Sequence, residues 1–262
     1  MSIVQRFLNA LFPPKCPVCG ALTEGAFAQL CPDCTKKLTE ELTIPCPLCG
    51  CTAEQCRCLP ADLESSGASF HEKTHLCVGF YQPGKPDSVL SRLIYALKER
   101  AGDASAQILA RMLARPLMRL FVETGEKPRE WLLVNPPRSS AKKAETGFDH
   151  AERLTRILAK STGAKAEHIF VRRGGSEQKL LGEEDRRDNI RRTMFLRHPE
   201  KCRDKKILLI DDVLTSGATL SYCAELLREA GAEEIVCATV LKTLPRKQKK
   251  RPETGGKFWF EE

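Results

Sequence analysis

Two adjacent carboxylates stand where a strongly apolar stretch of the chain ends. Residues 206–210 read KILLI, Asp211 and Asp212 follow, and Thr-Ser-Gly-Ala-Thr occupies 215–219. Neighbouring carboxylates repel each other and are poor core material, so ordinary turn and capping preferences explain only one or two of these residues. We therefore expect a ligand at this point of the chain.

The residues after the acidic pair suit an anion. A helix that begins here has free backbone N–H groups and a positive dipole end. The predicted cradle consists of Thr215, Ser216, Gly217, Ala218 and Thr219. Its hydroxyl groups add donors, and its glycine lets the backbone approach a phosphate closely. Carboxylates suit sugar hydroxyls and a hydrated Mg²⁺, so the whole run describes a ribose 5-phosphate site. The chain lacks a Walker P-loop and a dinucleotide G-x-G-x-x-G.

Cysteine is concentrated near the start of the chain. Nine of the 13 cysteines fall between residues 16 and 58. Two Cys-x-x-Cys pairs with eleven residues between them can direct four thiolates at one tetrahedral metal ion. These four are Cys16, Cys19, Cys31 and Cys34. A disulfide framework is the alternative, and it needs an oxidising compartment that nothing in the sequence indicates.

The second group of cysteines is less regular. Cys46 and Cys49 form a clear pair, but Cys56-Arg-Cys58 is one residue tighter than usual, and Cys51 is a spare that could replace a member. We predict a site of Cys46, Cys49, Cys56 and Cys58. Four thiolates leave no open position for a substrate, so both sites are predicted to hold structural Zn²⁺ that stabilises a segment with little core of its own. The other four cysteines are predicted core residues: Cys77, Cys202, Cys223 and Cys237.

From about residue 77 onward, apolar strands alternate with amphipathic helices. Strands are predicted at CVGFY, WLLV, EHIFVRR, KILLIDD and EIVCATVL. Apolar strands separated by helices imply an α/β fold with a parallel sheet covered on both faces. Ligands of such sheets lie at the carboxyl ends of the strands. Pro136, Pro137 and Arg138 lie at such an end, as do Asp211 and Asp212.

Composition and charge suggest three parts. These are an amphipathic helix with the cysteine-rich region at 1–60, the α/β region at 61–243 and a basic tail at 244–262. Residues 242–262 carry seven basic and three acidic groups, half of the net charge of +8, and either bind phosphate-rich partners or only aid solubility. The first helix is expected to pack on the body, with membrane attachment a weaker alternative. We see no secretory signal and no membrane-spanning run, and expect a cytoplasmic protein.

Residues 207–219 resemble the phosphoribosyl pyrophosphate (PRPP) motif of type I phosphoribosyltransferases. In that family the acidic pair contacts the ribose 2′- and 3′-hydroxyls and the following turn wraps the 5′-phosphate. The resemblance assigns these roles to Asp211 and Asp212, as the catalytic pair, and to Thr215–Thr219. It implies PRPP with Mg²⁺ as ligand, and displacement of pyrophosphate through a transition state like that of glycoside chemistry. A receiver domain also begins with a strand ending in acidic residues, but it lacks this turn and needs more chain than remains.

The whole chain up to about residue 243 is similar to the ComF family. In this family a cysteine-rich zinc region precedes a phosphoribosyltransferase-like domain. The resemblance extends to LIYALKERAG, which contains Lys98, and to NPPRSSAKKAETGFDHAERL. It also includes EQKLLGEEDRRDNIRRTMF, with Gln178, Arg186, Asn189 and Phe195 at matching positions.

Two positions depart from the family's pattern. Thr146 stands where the family usually has Arg, and Asp149 stands where it has Asn. If that Arg helps to hold pyrophosphate, this chain must use Arg138, Lys142 or Lys143 instead, or bind more weakly.

The resemblance links the chain to natural transformation, the uptake of DNA by bacteria. The first hypothesis is PRPP binding and phosphoribosyl transfer to an acceptor that the sequence does not identify. The alternative is a non-catalytic module of the competence machinery that binds single-stranded DNA or proteins. The basic tail and an arginine cluster favour DNA, whereas three Tyr and two Trp offer no evident base-stacking platform. A vestigial site is a third possibility, and oligomeric state stays open.

Two segments have open roles beside the predicted site. The arginines around 186–192 either close over the site as a lid or form a salt-bridged helix face. Residues 16–60 are predicted to pack near the carboxyl ends of the strands, as part of a hood that recognises the acceptor.

Overall fold

A computed structural model describes residues 13–23, 29–58, 75–82, 84–99, 103–138, 147–173 and 183–243. It contains seven strands, which in chain order are β1 (His75–Tyr81), β2 (Trp131–Val134), β3 (Lys165–Ala166), β4 (Phe170–Arg172), β5 (Met194–Leu196), β6 (Lys206–Leu214) and β7 (Glu234–Thr243). The helices are α1 (Pro32–Leu42), α2 (Val89–Leu97), α3 (Asp103–Thr124), α4 (His150–Thr162), α5 (Glu183–Thr193) and α6 (Ala218–Glu229). Short 3₁₀ turns occupy Pro128–Glu130 and Pro199–Lys201.

Five strands form one parallel sheet in the order β1-β7-β6-β2-β3. The predicted α/β fold, a parallel sheet flanked by helices, is confirmed. Side chains of β6 alternate between two cores, as the strand period of two requires. Leu208 and Ile210 pack with α2, α3 and α4, whereas Ile207 and Leu209 pack with α6. The sheet is thus buried on both faces, and its ends are left for polar residues.

The segment EHIFVRR corrects one expectation about the sheet. Its strand, β4, does not join the parallel sheet but pairs antiparallel with β5 in a separate two-stranded sheet. The chain returns through α5 beside β4, so that Phe170 faces Leu196. The edge position next to β2 is taken by β3, two residues that no apolar pattern predicted.

The described cysteine-rich segment lies beside β1, on both of its flanks. Cys16, Cys31 and Cys34 belong to the core that contains Val78 and Leu90. The second group forms a smaller cluster of Cys46, Ala53 and Cys56 with Cys77 and Phe80 of β1.

Close packing on β1 depends on Gly79. A Cβ atom there would lie 2.8 Å from Leu90 Cδ1 and 3.6 Å from Leu42 Cδ2, so α1 and α2 both pack against this strand. Since β7 separates β1 from β6, the cysteine-rich segment lies towards the β1 edge of the sheet and not next to the strand of the acidic pair. That it forms part of a hood stays a prediction.

Several predictions fall outside the described residues. These are the helix in residues 1–12, the basic tail 244–262, and the side chains of Lys142, Lys143, Thr146 and Gln178. Within the described ranges, no helix combines the length and the apolar character that crossing a bilayer requires.

Candidate functional site at the carboxyl edge of the sheet

The acidic pair lies inside β6, three and two residues before the strand ends at Leu214. Successive side chains of a strand point to opposite faces, so the two carboxylates have different surroundings. Asp212 is buried, with 7% of its surface exposed, whereas Asp211 is half-buried. The Asp211 carboxylate Oδ1 accepts the Asp212 N–H at 2.8 Å, and Asp212 Oδ1 accepts the Val213 N–H at 2.8 Å.

Two basic side chains converge on Asp212 from other elements. Lys98, which caps the end of α2, places Nζ 3.1 Å from Asp212 Oδ2. His150, the first residue of α4, places Nε2 3.2 Å from the same oxygen. The family resemblance named Lys98, but no sequence pattern indicated His150. Its only signal was its position directly after the Gly-Phe-Asp run.

The two carboxyl groups have opposite pKa shifts. Burial raises the pKa of Asp211 well above its usual value, and the adjacent charge of Asp212 adds to the rise. Burial acts in the same direction on Asp212, but the hydrogen bond from His150 and the charge of Lys98 outweigh it and lower its pKa. Asp212 is therefore the firmly ionised member of the pair, and Asp211 the member that accepts a proton more readily.

The turn after β6 forms a small cavity that opens beside Asp211. The cavity has a volume of about 70 Å³ and is lined by Asp211 and residues 213–220. Gly217 caps α6 in the left-handed conformation, with φ of 74°, and no side chain caps the helix. The first-turn N–H groups of α6 therefore border a cavity that also contains hydroxyl groups, which is a suitable place for a phosphate.

The loop after β2 contributes a second side of the site. The Arg138 N–H donates to Asp149 Oδ2 at 3.1 Å, and its guanidinium donates to the Phe148 carbonyl at 3.4 Å. Asp149 also caps α4, because Oδ1 accepts the N–H groups of Ala151 and Glu152 at 3.1 and 3.3 Å. Asn and Asp are equally good helix caps, so Asp149 can cap α4 as an Asn at this position would.

Several buried polar atoms have no hydrogen-bond partner among the described residues, and some of them lie near this edge. They include Oδ1 of Asn135, which follows β2, and Nδ1 of His150. Buried polar groups are normally paired, so unpaired ones at a strand end are candidates for ligand contact. Neither was predicted from the sequence, although Asn135 directly precedes the two prolines that mark the end of β2.

The arginines of α5 show a mixed environment. Arg191 pairs with Glu225 at 3.3 Å and lies over the ring of Tyr222 at 5.8 Å, and Arg192 lies 4.0 Å from Asp188. These contacts favour the salt-bridged helix face for this end of the helix. The side chains of 183–187, on which the lid prediction depends, are outside the description.

The eight predicted zinc ligands come together in two groups of four. Within each group all sulfur atoms lie within 4.8 Å of one another. A tetrahedral site with Zn–S bonds of ~2.3 Å places its sulfurs about 3.8 Å apart, so both groups fit the ion. The members are Cys16, Cys19, Cys31 and Cys34 in the first centre, and Cys46, Cys49, Cys56 and Cys58 in the second.

Cys51 lies beside the second centre without joining the group. Its carbonyl accepts the Cys46 N–H at 2.8 Å, as the carbonyl of Ala21 accepts the Cys16 N–H at 2.7 Å in the first. Cys51 therefore matches Ala21 in a repeated turn, which explains why it is spare. The four scattered cysteines are buried, as predicted: Cys77, Cys202, Cys223 and Cys237.

Comparison with known proteins places these features in context. Residues 147–261 match the family described as "Phosphoribosyl transferase domain". The DNA utilization protein YhgH of Salmonella typhi is 25% identical over 240 residues, which cover 88% of this chain and 98% of that protein. The competence protein ComFC of Streptococcus pneumoniae is 28% identical over 125 residues, 47% of this chain and 54% of that protein. Among solved structures, the glutamine PRPP amidotransferase of B. subtilis is 18% identical, covers 53% of this chain and 26% of that one, and has a TM-score of 0.36.

Proposed function

Because this chain belongs to the ComF family, we propose that it binds PRPP with Mg²⁺ at the carboxyl edge of its sheet. The observation that carries the proposal is the cavity after β6, where an uncapped helix start, hydroxyl groups and Asp211 meet. An anion cradle beside carboxylates matches a sugar phosphate, which presents a phosphate at one end and hydroxyl groups at the other.

In this proposal each residue type has one task. Residues 215–219 hold the 5′-phosphate through N–H and hydroxyl donors. The carboxylates of Asp211 and Asp212 accept hydrogen bonds from the ribose hydroxyls. Lys98 and His150 keep Asp212 ionised, so that it acts only as an acceptor. Arg138, at the end of β2, is proposed to contact the pyrophosphate.

The carboxylates also fit a divalent cation. Mg²⁺ takes oxygen ligands and is commonly shared between one or two carboxylates and the phosphates of a substrate. Bound Mg²⁺ would neutralise charge on the departing pyrophosphate. Asp211 and Asp212 are the residues of this chain that would hold it, directly or through water.

Transfer of the phosphoribosyl group to an acceptor is the catalytic form of the proposal. Bond breaking at C1 creates positive charge on the sugar and negative charge on the pyrophosphate. The chain's own contribution is to fix the phosphate and the ribose and to keep Asp212 anionic close to the ring. Asp211 and Asp212 are the residues we assign to this step.

A role in DNA handling is the second candidate. It is favoured by the relatives, which are called DNA utilization and competence proteins. We propose that the chain takes part in the uptake of DNA, either with PRPP as its substrate or as a non-catalytic module that binds single-stranded DNA or competence proteins. Binding to DNA through the basic tail would weaken steeply as salt is raised. The cytoplasm stays the predicted location.

The test is calorimetric titration of the zinc-loaded protein with PRPP and Mg²⁺. We expect binding that the double variant Asp211→Asn, Asp212→Asn abolishes, since the ribose acceptors lose their charge. Asp87→Asn is the matched control, because Asp87 is exposed and, among the described residues, forms its ion pair with Arg92 on the surface. An intact protein that binds no PRPP would overturn the proposal, and a salt-dependent affinity for single-stranded DNA would then favour the non-catalytic module.

A further inference from the structure

Lys242, near the end of β7, is a fully buried cation. Only 1% of its surface is exposed, and it is among the largest fully buried side chains. A buried ammonium group is strongly destabilising unless an anion compensates it. Within the described parts of the chain, none of the ion pairs includes Lys242. Its charge therefore needs another explanation.

The Lys242 ammonium points at the second cysteine centre. Nζ donates to the carbonyl of Cys56 at 2.8 Å and to the carbonyl of Cys58 at 3.3 Å. It also lies 5.6 Å from the centre of the Phe80 ring, on the face that attracts cations. The Lys242 side chain thus links two of the predicted metal-ligand residues to the sheet through hydrogen bonds.

The missing anion is supplied by the metal centre itself. Four thiolates and one Zn²⁺ carry a net charge of −2, and two of the sulfur-bearing residues, Cys46 and Cys56, are 2% exposed. A buried dianion next to a buried cation is a compensated pair, whereas either alone is not. We propose that Lys242 is the counter-ion of the second zinc centre and positions it on β7 through Cys56 and Cys58.

This role makes zinc loading and burial of the lysine depend on each other. Partners outside the ligand shell of a metal typically change its affinity by about tenfold to a hundredfold. Within the described residues the first centre has no buried cation: Arg92 donates to the Val18 carbonyl at 3.4 Å, between Cys16 and Cys19, but its side chain is 42% exposed. Instead, Cys31 lies at the start of α1, where its sulfur accepts the Cys34 N–H at 3.5 Å at the positive end of the helix. It therefore serves as an internal control.

The experiment measures metal affinity at both centres of the full chain. Co²⁺ is titrated into the metal-free protein, thiolate-to-Co²⁺ absorption is followed, and Zn²⁺ then competes in the presence of a chelator. Lys242→Met removes the charge and the hydrogen bonds, and Lys242→Gln keeps a donor without the charge. Lys201→Met, on an exposed lysine paired with Glu167, is the control.

We expect both Lys242 variants to bind metal at one centre about tenfold to a hundredfold more weakly, with the other centre unchanged. An affinity that falls for Lys242→Met but not for Lys242→Gln would assign the role to hydrogen bonds and overturn the counter-ion proposal. An unchanged affinity in both variants, or an equal loss at both centres, would also overturn it.

A change in the charge of the centre provides a second test. Cys49→His keeps a ligand at an exposed position but reduces the negative charge of the centre from −2 to −1. The loss of affinity caused by Lys242→Gln should then be smaller than in the unmodified centre. An equal loss in both backgrounds would show that Lys242 does not act through charge.

Discussion

The two cysteine centres begin with the same turn and continue in different ways. In both, the glycine after the second cysteine has a positive φ, 76° at Gly20 and 73° at Gly50, and donates to the carbonyl of the first cysteine at 2.8 and 2.9 Å. The second half of the first centre begins helix α1, whereas the second half of the other is the irregular segment Cys56-Arg57-Cys58, which follows a turn at 53–55.

The difference shows two ways of accommodating the same charge. The first centre places a sulfur at the start of a helix and lies in the main core. The second centre does not begin a helix and lies in a smaller cluster. There the positive charge of Lys242 is proposed to take the part that the positive helix end has in the first centre. The first centre is therefore expected to contribute more to global stability, and the second to depend more on a single side chain.

Loss of a ligand should produce the largest contrast. Cys34→Ser removes a buried ligand in the main core, and we expect it to lower the free energy of unfolding by more than about 4 kcal/mol, at the upper end for single substitutions. Cys58→Ser, on a half-buried ligand of the smaller cluster, should have less effect. Chemical denaturation of the zinc-loaded proteins measures both values. Equal losses would break the comparison.

The second largest difference is expected from the contacts that join each centre to the α/β region. The Glu41 carboxylate, at the end of α1, accepts the N–H groups of Val89 and Leu90 at 2.7 and 3.0 Å and thereby caps α2. We expect Glu41→Gln to destabilise by about 1–2 kcal/mol, because a charged acceptor at a helix start is lost. Glu54→Gln breaks only an exposed pair with Arg119 at 3.5 Å beside the second centre, which is worth about 0–1 kcal/mol.

The unfolding temperatures of these two variants, each measured at saturating zinc, show which substitution destabilises the protein more. A Glu54→Gln effect as large as that of Glu41→Gln would mean that the second centre is held as firmly as the first.

The shared turn should give the smallest and most similar effects. Gly20→Ala and Gly50→Ala both place a Cβ on a residue in the left-handed conformation, although no described residue beyond the two chain neighbours lies within 4 Å of either added carbon. We expect each to destabilise by about 1 kcal/mol, from backbone strain alone. The measurement is the shift of the unfolding midpoint. A clear inequality would show that the two turns are not equivalent after all.

Local patterns in the sequence predicted most of what is local in the structure. The cysteine pairs, β6 with its following turn, and the glycine-capped helices each depend on residues close in the chain, so their types and spacing are informative. The pairing of β4 with β5 was not predictable, because a short apolar run does not specify its partner strand. The sequence pattern placed Lys242 between the end of the last predicted strand and the start of the basic tail.

The residues of the candidate site also fall into those that local sequence predicted and those that it did not. Asp211, Asp212 and the turn at 215–219 were found as one continuous motif. His150 and Asn135 reach the same edge from other segments, and only the folded sheet brings them there. A lone His or Asn in a loop carries no spacing signal, so such residues are found from contacts.

The position of the cysteine-rich segment also affects solubility. β1 is an edge strand of seven mostly buried residues, and its outer backbone groups are those that would otherwise be open to pairing with another chain. If zinc holds the segment beside this strand, we expect the segment to limit intermolecular sheet formation. Removal of zinc would therefore do more than loosen a small module, because we expect it to expose this edge strand to pairing with other chains.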